Sequence, residues 1–289
     1  MYNFALNYKK GLVLKVGIIG LGLMGGSLAK ALKRYSIASK VFGFTNSERS
    51  KKEIEELGLV DELVSLDFMK KECDIIILSI PVDAIISMFP DFLDISETTT
   101  IIDMGSTKEF IIKSIPSKIR KNFVAAHPMT GTEKNGPKAA IDNLYEGKTV
   151  VLCDLEENSN KHVNKAFRIF QEIGMRIVVM DSKEHDVHAC YISHLPHLIS
   201  FSLANTVMAN QNPKEIISLA AGGFKDMSRI AKSSPRMWRD IFKQNKENLL
   251  ESIDSFEQQL QSARKLIENE EYDKLEDWMA KANTLHEIL

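Results

Sequence analysis

The sequence predicts an α/β protein in two parts, a doubly wound parallel sheet over residues 1–181 and an all-helical unit over residues 182–289. Three observations carry this. Up to about Asp181, short β-branched runs alternate with helical stretches, as strands joined by crossover helices do. Beyond Asp181 the β-like runs stop. From Gln244 onward the chain is rich in Glu, Lys, Gln and Leu, with Leu249, Leu250, Ile253, Phe256 and Leu260 at helical spacing. No low-complexity linker or repeat separates the parts, so they are expected to pack closely.

Strands are expected at Lys15–Ile19, Lys40–Phe44, Asp74–Ile80, Thr99–Asp103, Phe123–Ala126, Lys148–Leu152 and Arg176–Met180. The first leads directly into Gly20-Leu21-Gly22-Leu23-Met24-Gly25, which opens a helix with an apolar face of Leu28, Ala31 and Leu32. That context marks a dinucleotide-binding fingerprint of the Rossmann type. Gly20 permits the tight turn, Gly22 lets the backbone approach a pyrophosphate, and Gly25 lets helix and strand close together. The helix N-terminus attracts the phosphate charge.

The second strand runs into Gly43-Phe44-Thr45-Asn46-Ser47-Glu48-Arg49. An NAD site commonly places Asp or Glu about 20 residues past the glycines, on the ribose hydroxyls. Thr45 holds that place here. Thr45 and Arg49 could accept a 2′-phosphate, whereas Asn46, Ser47 and Glu48 could equally be the cap and first turn of the next helix. The cofactor is therefore NAD or NADP.

Asp103-Met104-Gly105-Ser106-Thr107-Lys108-Glu109 follows a later strand. Ser106 and Glu109 fit a capping box, and the same hydroxyl lies where ligands bind in such sheets, outside the carboxyl ends of the strands. His127-Pro128-Met129-Thr130-Gly131-Thr132-Glu133 also follows a strand. A histidine at that edge suits a general base, since its pKa lies near neutrality.

Four of the seven histidines, His185, His188, His194 and His197, fall in one window as His-x-x-His pairs. No ligand pattern of carboxylate or cysteine accompanies them and Pro196 disturbs the second pair, so core or substrate-facing roles are expected and metal is not. Among the cations that follow, Arg229 is the candidate to fork onto a carboxylate, its neighbours alternating small and apolar.

Composition narrows the function classes. The 289 residues carry 37 Lys and Arg against 39 Asp and Glu, a net charge of -2, which provides no general basic field for nucleic acid or an anionic membrane. Cys73, Cys153 and Cys190 are odd in number and widely spaced, as reduced thiols of a cytoplasmic protein would be. Lys9 and Lys10 before the stretch Gly11 to Ala29 loosely suggest a signal peptide, but Lys15 and the spaced glycines argue against export. The apolar run Ile75 to Phe89 is broken by Pro81 and Asp83 and falls short of the ~20 residues a membrane helix needs.

Taken together, the glycine fingerprint, Asp103 to Lys108, His127 to Gly136, Ser193-His194-Leu195-Pro196-His197 and Phe224 to Ala231 closely resemble the prephenate dehydrogenase family of tyrosine biosynthesis, from about Val13 to beyond Trp238. Thr45 departs from the Asp that many NAD-using members carry. The resemblance implies oxidative decarboxylation of prephenate to 4-hydroxyphenylpyruvate, or of arogenate, its amine counterpart. It assigns His127 to the proton of the C4 hydroxyl, Ser106 to holding His127 and the nicotinamide, and Arg229 and His197 to the substrate. Thr132, Glu133 and His194 join the substrate site by the same resemblance, which also implies a homodimer paired through the helices after Gln244. No mutase-like segment is expected before the first strand and no regulatory domain after the helices.

Two rivals stand beside it. A hydroxyacid dehydrogenase would need a Lys-centred block in the helical part, and none is seen. A non-catalytic NAD-sensing regulator would bind the cofactor without turnover and would not need His127 beside Arg229.

Overall fold

The structure, a computed structural model, describes residues 14–288. Lys9, Lys10 and Gly11 of the charged, apolar start lie outside the described residues. Within them the strands are β1 Leu14–Ile19, β2 Ala38–Phe44, β3 Glu62–Leu63, β4 Ile75–Leu78, β5 Thr100–Asp103, β6 Phe123–Pro128, β7 Thr149–Cys153 and β8 Arg176–Met180. They form one sheet in the order β3-β2-β1-β4-β5-β6-β7-β8. The order reverses between β1 and β4, and a crevice opens at such a switch point, outside the carboxyl ends of the strands.

The expected sheet was parallel throughout, and the structure corrects this at one edge. β3 to β6 are joined by parallel pairings, but β6 pairs antiparallel with β7, and β8 then runs parallel to β7. The reason lies between the strands. Residues 129–148 hold only a short 3-10 turn at Pro137–Ala139, whereas a parallel return is usually made through a crossover helix.

Strand residues alternate between two cores. Val16, Ile18, Ile75, Ile77, Ile102, Val124 and Val150 face one, while Ile19, Ile76, Leu78, Ile101, Phe123 and Val151 face the other. Burial on both faces is why these strands read as continuous apolar runs. The first core is closed by α1 (Leu23–Arg34), α2 (Glu48–Glu56) and α7 (Asn160–Glu172). The second is closed by α3 (Leu66–Glu72), α4 (Val82–Ser87), α5 (Glu109–Ser114) and α6 (Ser117–Arg120).

After β8, Asp181 accepts the amides of Lys183 and Glu184 and caps α8 (Ser182–Ala189). One π-helical turn, Cys190–His194, joins α8 to α9 (Leu195–Met208). Pro196 lacks the N–H that a regular helix would use there, and a π turn is a common way to absorb such a break. The remaining helices are α10 (Pro213–Ser218), α11 (Gly222–Arg229), α12 (Pro235–Gln244), α13 (Lys246–Glu268) and α14 (Tyr272–Asn283). Leu249 is buried, but Leu250, Phe256, Leu260 and Leu219 are exposed. None of the described helices is long and apolar enough to cross a membrane.

Candidate active site

The carboxyl edge of the sheet begins at the glycine turn. Gly20 has φ +88°, and a Cβ there would lie 2.4 Å from the Ser79 carbonyl oxygen, so only glycine makes this turn. At Gly25 a Cβ would come within 2.0 Å of the Gly20 carbonyl oxygen, which fixes how closely α1 approaches β1. Gly22 is different. Nothing lies nearer to its Cβ position than the Gly136 nitrogen at 4.0 Å, and no side chain caps the helix that starts behind it. Open space, uncapped amides and a 12-residue helix pointing into the space fit a dinucleotide pyrophosphate.

At the end of β2, Thr45 Oγ1 accepts the Ser47 amide at 3.3 Å, which leaves its hydroxyl proton available to a ligand. Ser47 caps α2 by accepting from Ser50 at 3.2 Å. Arg49 is almost fully exposed and pairs with Glu53. Ser47 is thus the helix cap, while Thr45 and Arg49 make no polar contact among the described residues beyond the turn and first helical turns that follow β2.

Ser106 does not cap a helix, contrary to the capping box expected of it. α5 starts only at Glu109, because Lys108 turns inward and is completely buried. Its Nζ pairs with the Asp103 carboxylate and donates to the Ala126 carbonyl at 2.7 Å. Asp103 also accepts the amides of Gly105 and Ala126. Burial pushes its carboxyl up, while Lys108 and those two amides pull it back. The capping falls to Asp186 of α8, which accepts the amides of Lys108 at 2.8 Å and Glu109 at 3.0 Å. The Ser106 hydroxyl, partly exposed, has no hydrogen bond to any described residue.

His127 is the next-to-last residue of β6, next to that loop. Its Nδ1 lies 2.8 Å from His185 Nε2, and His185 Nδ1 lies 2.8 Å from Asp186 Oδ1. The ring partner of His127 is therefore His185, where the sequence pointed to Ser106. Nε2 of His127 has no partner among the described residues. Burial, followed by the neighbouring His185, Lys108 and His194, holds the imidazole well below its usual pKa.

The helical part supplies the opposite wall. His197 donates from Nδ1 to the Ser193 carbonyl at 2.9 Å and stacks on Trp238 with ring centroids 3.7 Å apart. Burial and then Arg229 lower its pKa, against the pull of the Ser193 carbonyl. Arg229, at the last residue of α11, stands 3.8 Å from the half-buried Glu133. Thr132 is exposed and accepts the Lys134 amide at 3.3 Å. His194 is 1% exposed, and its Nδ1 meets the Asn245 side-chain amide at 3.1 Å, which makes it a support of the wall. His188 is exposed on the far side of its helix. Among the described residues no three His, Cys, Asp or Glu side chains are grouped to hold a metal.

The glycine turn, the Ser106 loop and His127 thus lie at the carboxyl ends of β1, β5 and β6, while Arg229 stands beside Glu133 and His197. Asp103, Lys108, His185, Asp186, Trp238 and Asn245 support them, and sequence reasoning gave these no such role. Adjacency of His185 and Asp186 was the one visible hint.

The chain is similar to known proteins in sequence and in fold. A family model described as "Prephenate dehydrogenase, nucleotide-binding domain" matches residues 28–179, and one described as "Prephenate dehydrogenase, dimerization domain" matches residues 181–281. The prephenate dehydrogenase of Bacillus subtilis is 32% identical over 267 residues, covering 89% of this chain and 71% of that one. The crystal structure of Aquifex aeolicus prephenate dehydrogenase in complex with hydroxyphenyl propionate and NAD+ superposes with a TM-score of 0.89 at 34% identity, covering 96% of this chain and 99% of that one. Synechocystis arogenate dehydrogenase matches with a TM-score of 0.78 at 26% identity, covering 95% and 99%.

Proposed function

The chain belongs to the prephenate dehydrogenase family of nicotinamide-dependent oxidoreductases, and from that premise we propose that it converts prephenate to 4-hydroxyphenylpyruvate and carbon dioxide. The observation that carries the proposal is His127, whose Nδ1 is engaged by His185 while Nε2 is left for a ligand at the carboxyl edge of the sheet.

A bound NAD or NADP supplies the hydride acceptor. The chain's own residues do the rest. Gly22 and the first amides of α1 hold the pyrophosphate, and Thr45 and Arg49 flank the adenosine ribose. His127 Nε2 takes the proton of the C4 hydroxyl as hydride leaves C4, so the C–O bond gains double-bond character. The bond from the ring to its carboxylate then breaks, its electron pair enters the ring, carbon dioxide departs, and the proton returns to what is now a phenolic oxygen. Ser106 is placed to hydrogen-bond the same hydroxyl or the nicotinamide. Arg229 binds a carboxylate of the dianion, and His197 orients the substrate from its seat on Trp238. Buried free thiols at Cys73, Cys153 and Cys190 suit a reducing cytoplasmic compartment.

A specific observation also favours arogenate. The Glu133 carboxylate stands 3.8 Å from Arg229, and an anion there would pair with the ammonium of arogenate, whereas the ketone of prephenate offers it no such partner. Offering the purified protein each substrate with NAD and NADP decides the matter: cofactor reduction with release of 4-hydroxyphenylpyruvate supports the first reading, and release of tyrosine the second. Cofactor binding with no product from either supports the regulator instead.

The helical part is proposed to pair two copies. Leu219 is 86% exposed and Leu260 60%, and the family model matched by residues 181–281 describes a dimerization domain.

A further inference from the structure

His127 could carry its single proton on either nitrogen, and only the tautomer with a free Nε2 can accept one from substrate. We propose that His185, oriented by Asp186, is the positioning residue that fixes this tautomer. The proposal rests on His127 being the base, and the geometry supplies a direction. Asp186 is a carboxylate and accepts only, so His185 Nδ1, 2.8 Å from its Oδ1, carries the proton. In a neutral His185, Nε2 is then a lone pair, and His127 Nδ1, 2.8 Å away, donates to it. The remaining nitrogen of His127, Nε2, is left unprotonated.

The order cannot easily reverse. His185 and Asp186 are each 2% exposed, so water offers no substitute partners. The carboxylate is anchored by the amides of Lys108 and Glu109, and the Asp186 carbonyl accepts from Asn245 at 2.7 Å. Asp186 thus holds the loop that carries Ser106 and the proton position of His127 with one side chain. A cap for the six-residue α5 would need only the two amides; the contact to His185 is additional to that need. The same relation turns the positive charge that forms on His127 during proton uptake toward a buried carboxylate.

The test reads the nitrogen itself. In protein labelled with ¹⁵N-histidine at pH 8, with signals assigned by comparison with His127→Asn, wild-type His127 is expected to show an unprotonated Nε2 and a protonated Nδ1; the opposite pattern overturns the proposal outright. His185→Leu removes the acceptor while leaving Asp186 on α5, and is expected to move the proton to Nε2, as free imidazole side chains prefer, and to lower kcat by about 10²–10⁴-fold with cofactor affinity unchanged. His185→Gln, whose amide oxygen accepts from His127 and whose NH2 donates to Asp186, should keep the wild-type nitrogen pattern and restore most of that loss. Equal kcat in the Leu and Gln variants, or an unprotonated Nε2 in the Leu variant, refutes the assignment. Because the nitrogen pattern needs no substrate, absence of turnover with prephenate and arogenate in the wild type would defeat the functional reading and leave this one to be decided separately.

Discussion

Arg229 and Glu133 face each other at 3.8 Å across the boundary between the helices and the sheet, so the cation proposed to receive a substrate carboxylate already has one beside it. Glu133 holds the guanidinium near the crevice and competes with the ligand for it.

Arg229→Ala should therefore raise KM more than it lowers kcat. A hydrogen bond to a charged group contributes roughly 1.5–3 kcal/mol, and with the Arg229 side chain 59% exposed the lower end applies, a KM increase on the order of tenfold. Steady-state kinetics with prephenate checks it. An unchanged KM would leave Arg229 as a solvated charge.

Replacing His127 by Asn keeps much of its shape but removes the proton acceptor. The expected loss is about 10²–10⁴ in kcat with cofactor affinity preserved. A folded, cofactor-binding variant that turns over at nearly the parental rate would remove His127 from the chemistry.

Cofactor choice turns on Thr45, whose hydroxyl can donate to a 2′-phosphate that an Asp would repel. NADP should be used at least comparably to NAD, and Thr45→Asp should shift preference toward NAD. Dissociation constants from cofactor fluorescence, with kcat/KM for both cofactors, decide it. A strongly NAD-selective parent would show that Thr45 serves only the turn into α2.

The buried histidines make stability depend on pH. Burial lowers His162 and His194 to about 4, and His127 lies well below 6.5. Near pH 6.5 the unfolded imidazoles take up protons that the folded ones refuse, so stability is complete above that value and falls as the pH drops toward 4, by about 1.4 kcal/mol for each unit of pKa displaced. The urea midpoint should be lower at pH 5 than at pH 7. His162→Gln, which can still bond Thr100, should lessen the fall; an equal fall in both proteins would contradict the account.

Pairing through the helical part is tested at Leu219. In a monomer so exposed a side chain tolerates Asp at little cost, whereas at the centre of an apolar interface the same charge would be buried. Light scattering coupled to size exclusion should show a dimer for the parent and a shift toward monomer for Leu219→Asp. A parent that is monomeric at all concentrations would rule the pairing out.

Much of this was legible in the chain. Arg176–Met180 was read at its observed limits, and the other long strands within about two residues, because burial on both faces leaves uninterrupted apolar runs. β3 escaped notice: Glu62–Leu63 is two residues long and carries no apolar pattern. The antiparallel turn was not foreseen because strand periodicity is blind to direction. At the site, the glycine turn and His127 announced themselves by following strands directly. Ser106 was misjudged as a cap since nothing local tells that Lys108 will be buried against Asp103. Asp186 was missed altogether, for its partners are 59 to 78 positions away or hidden behind His185, and neighbours in a helix sequence seldom face the same point.

The turn that reverses β7 also governs when the molecule can be assembled. Residues 141–145 reach back to α1, with the Ile141 amide on Ser27 Oγ at 2.8 Å and the Tyr145 hydroxyl on the Met24 carbonyl at 2.6 Å. More than a hundred positions separate each pair. Contacts so distant along the chain require the loop-closure entropy to be spent first, and they slow folding. During synthesis the glycine turn emerges well before this loop, and the clasp that steadies its helix arrives only after strands β1 to β6 have been made. Cofactor affinity should consequently mature late: a chain arrested before Tyr145 would possess every residue of the fingerprint and still lack the rigid cradle it forms.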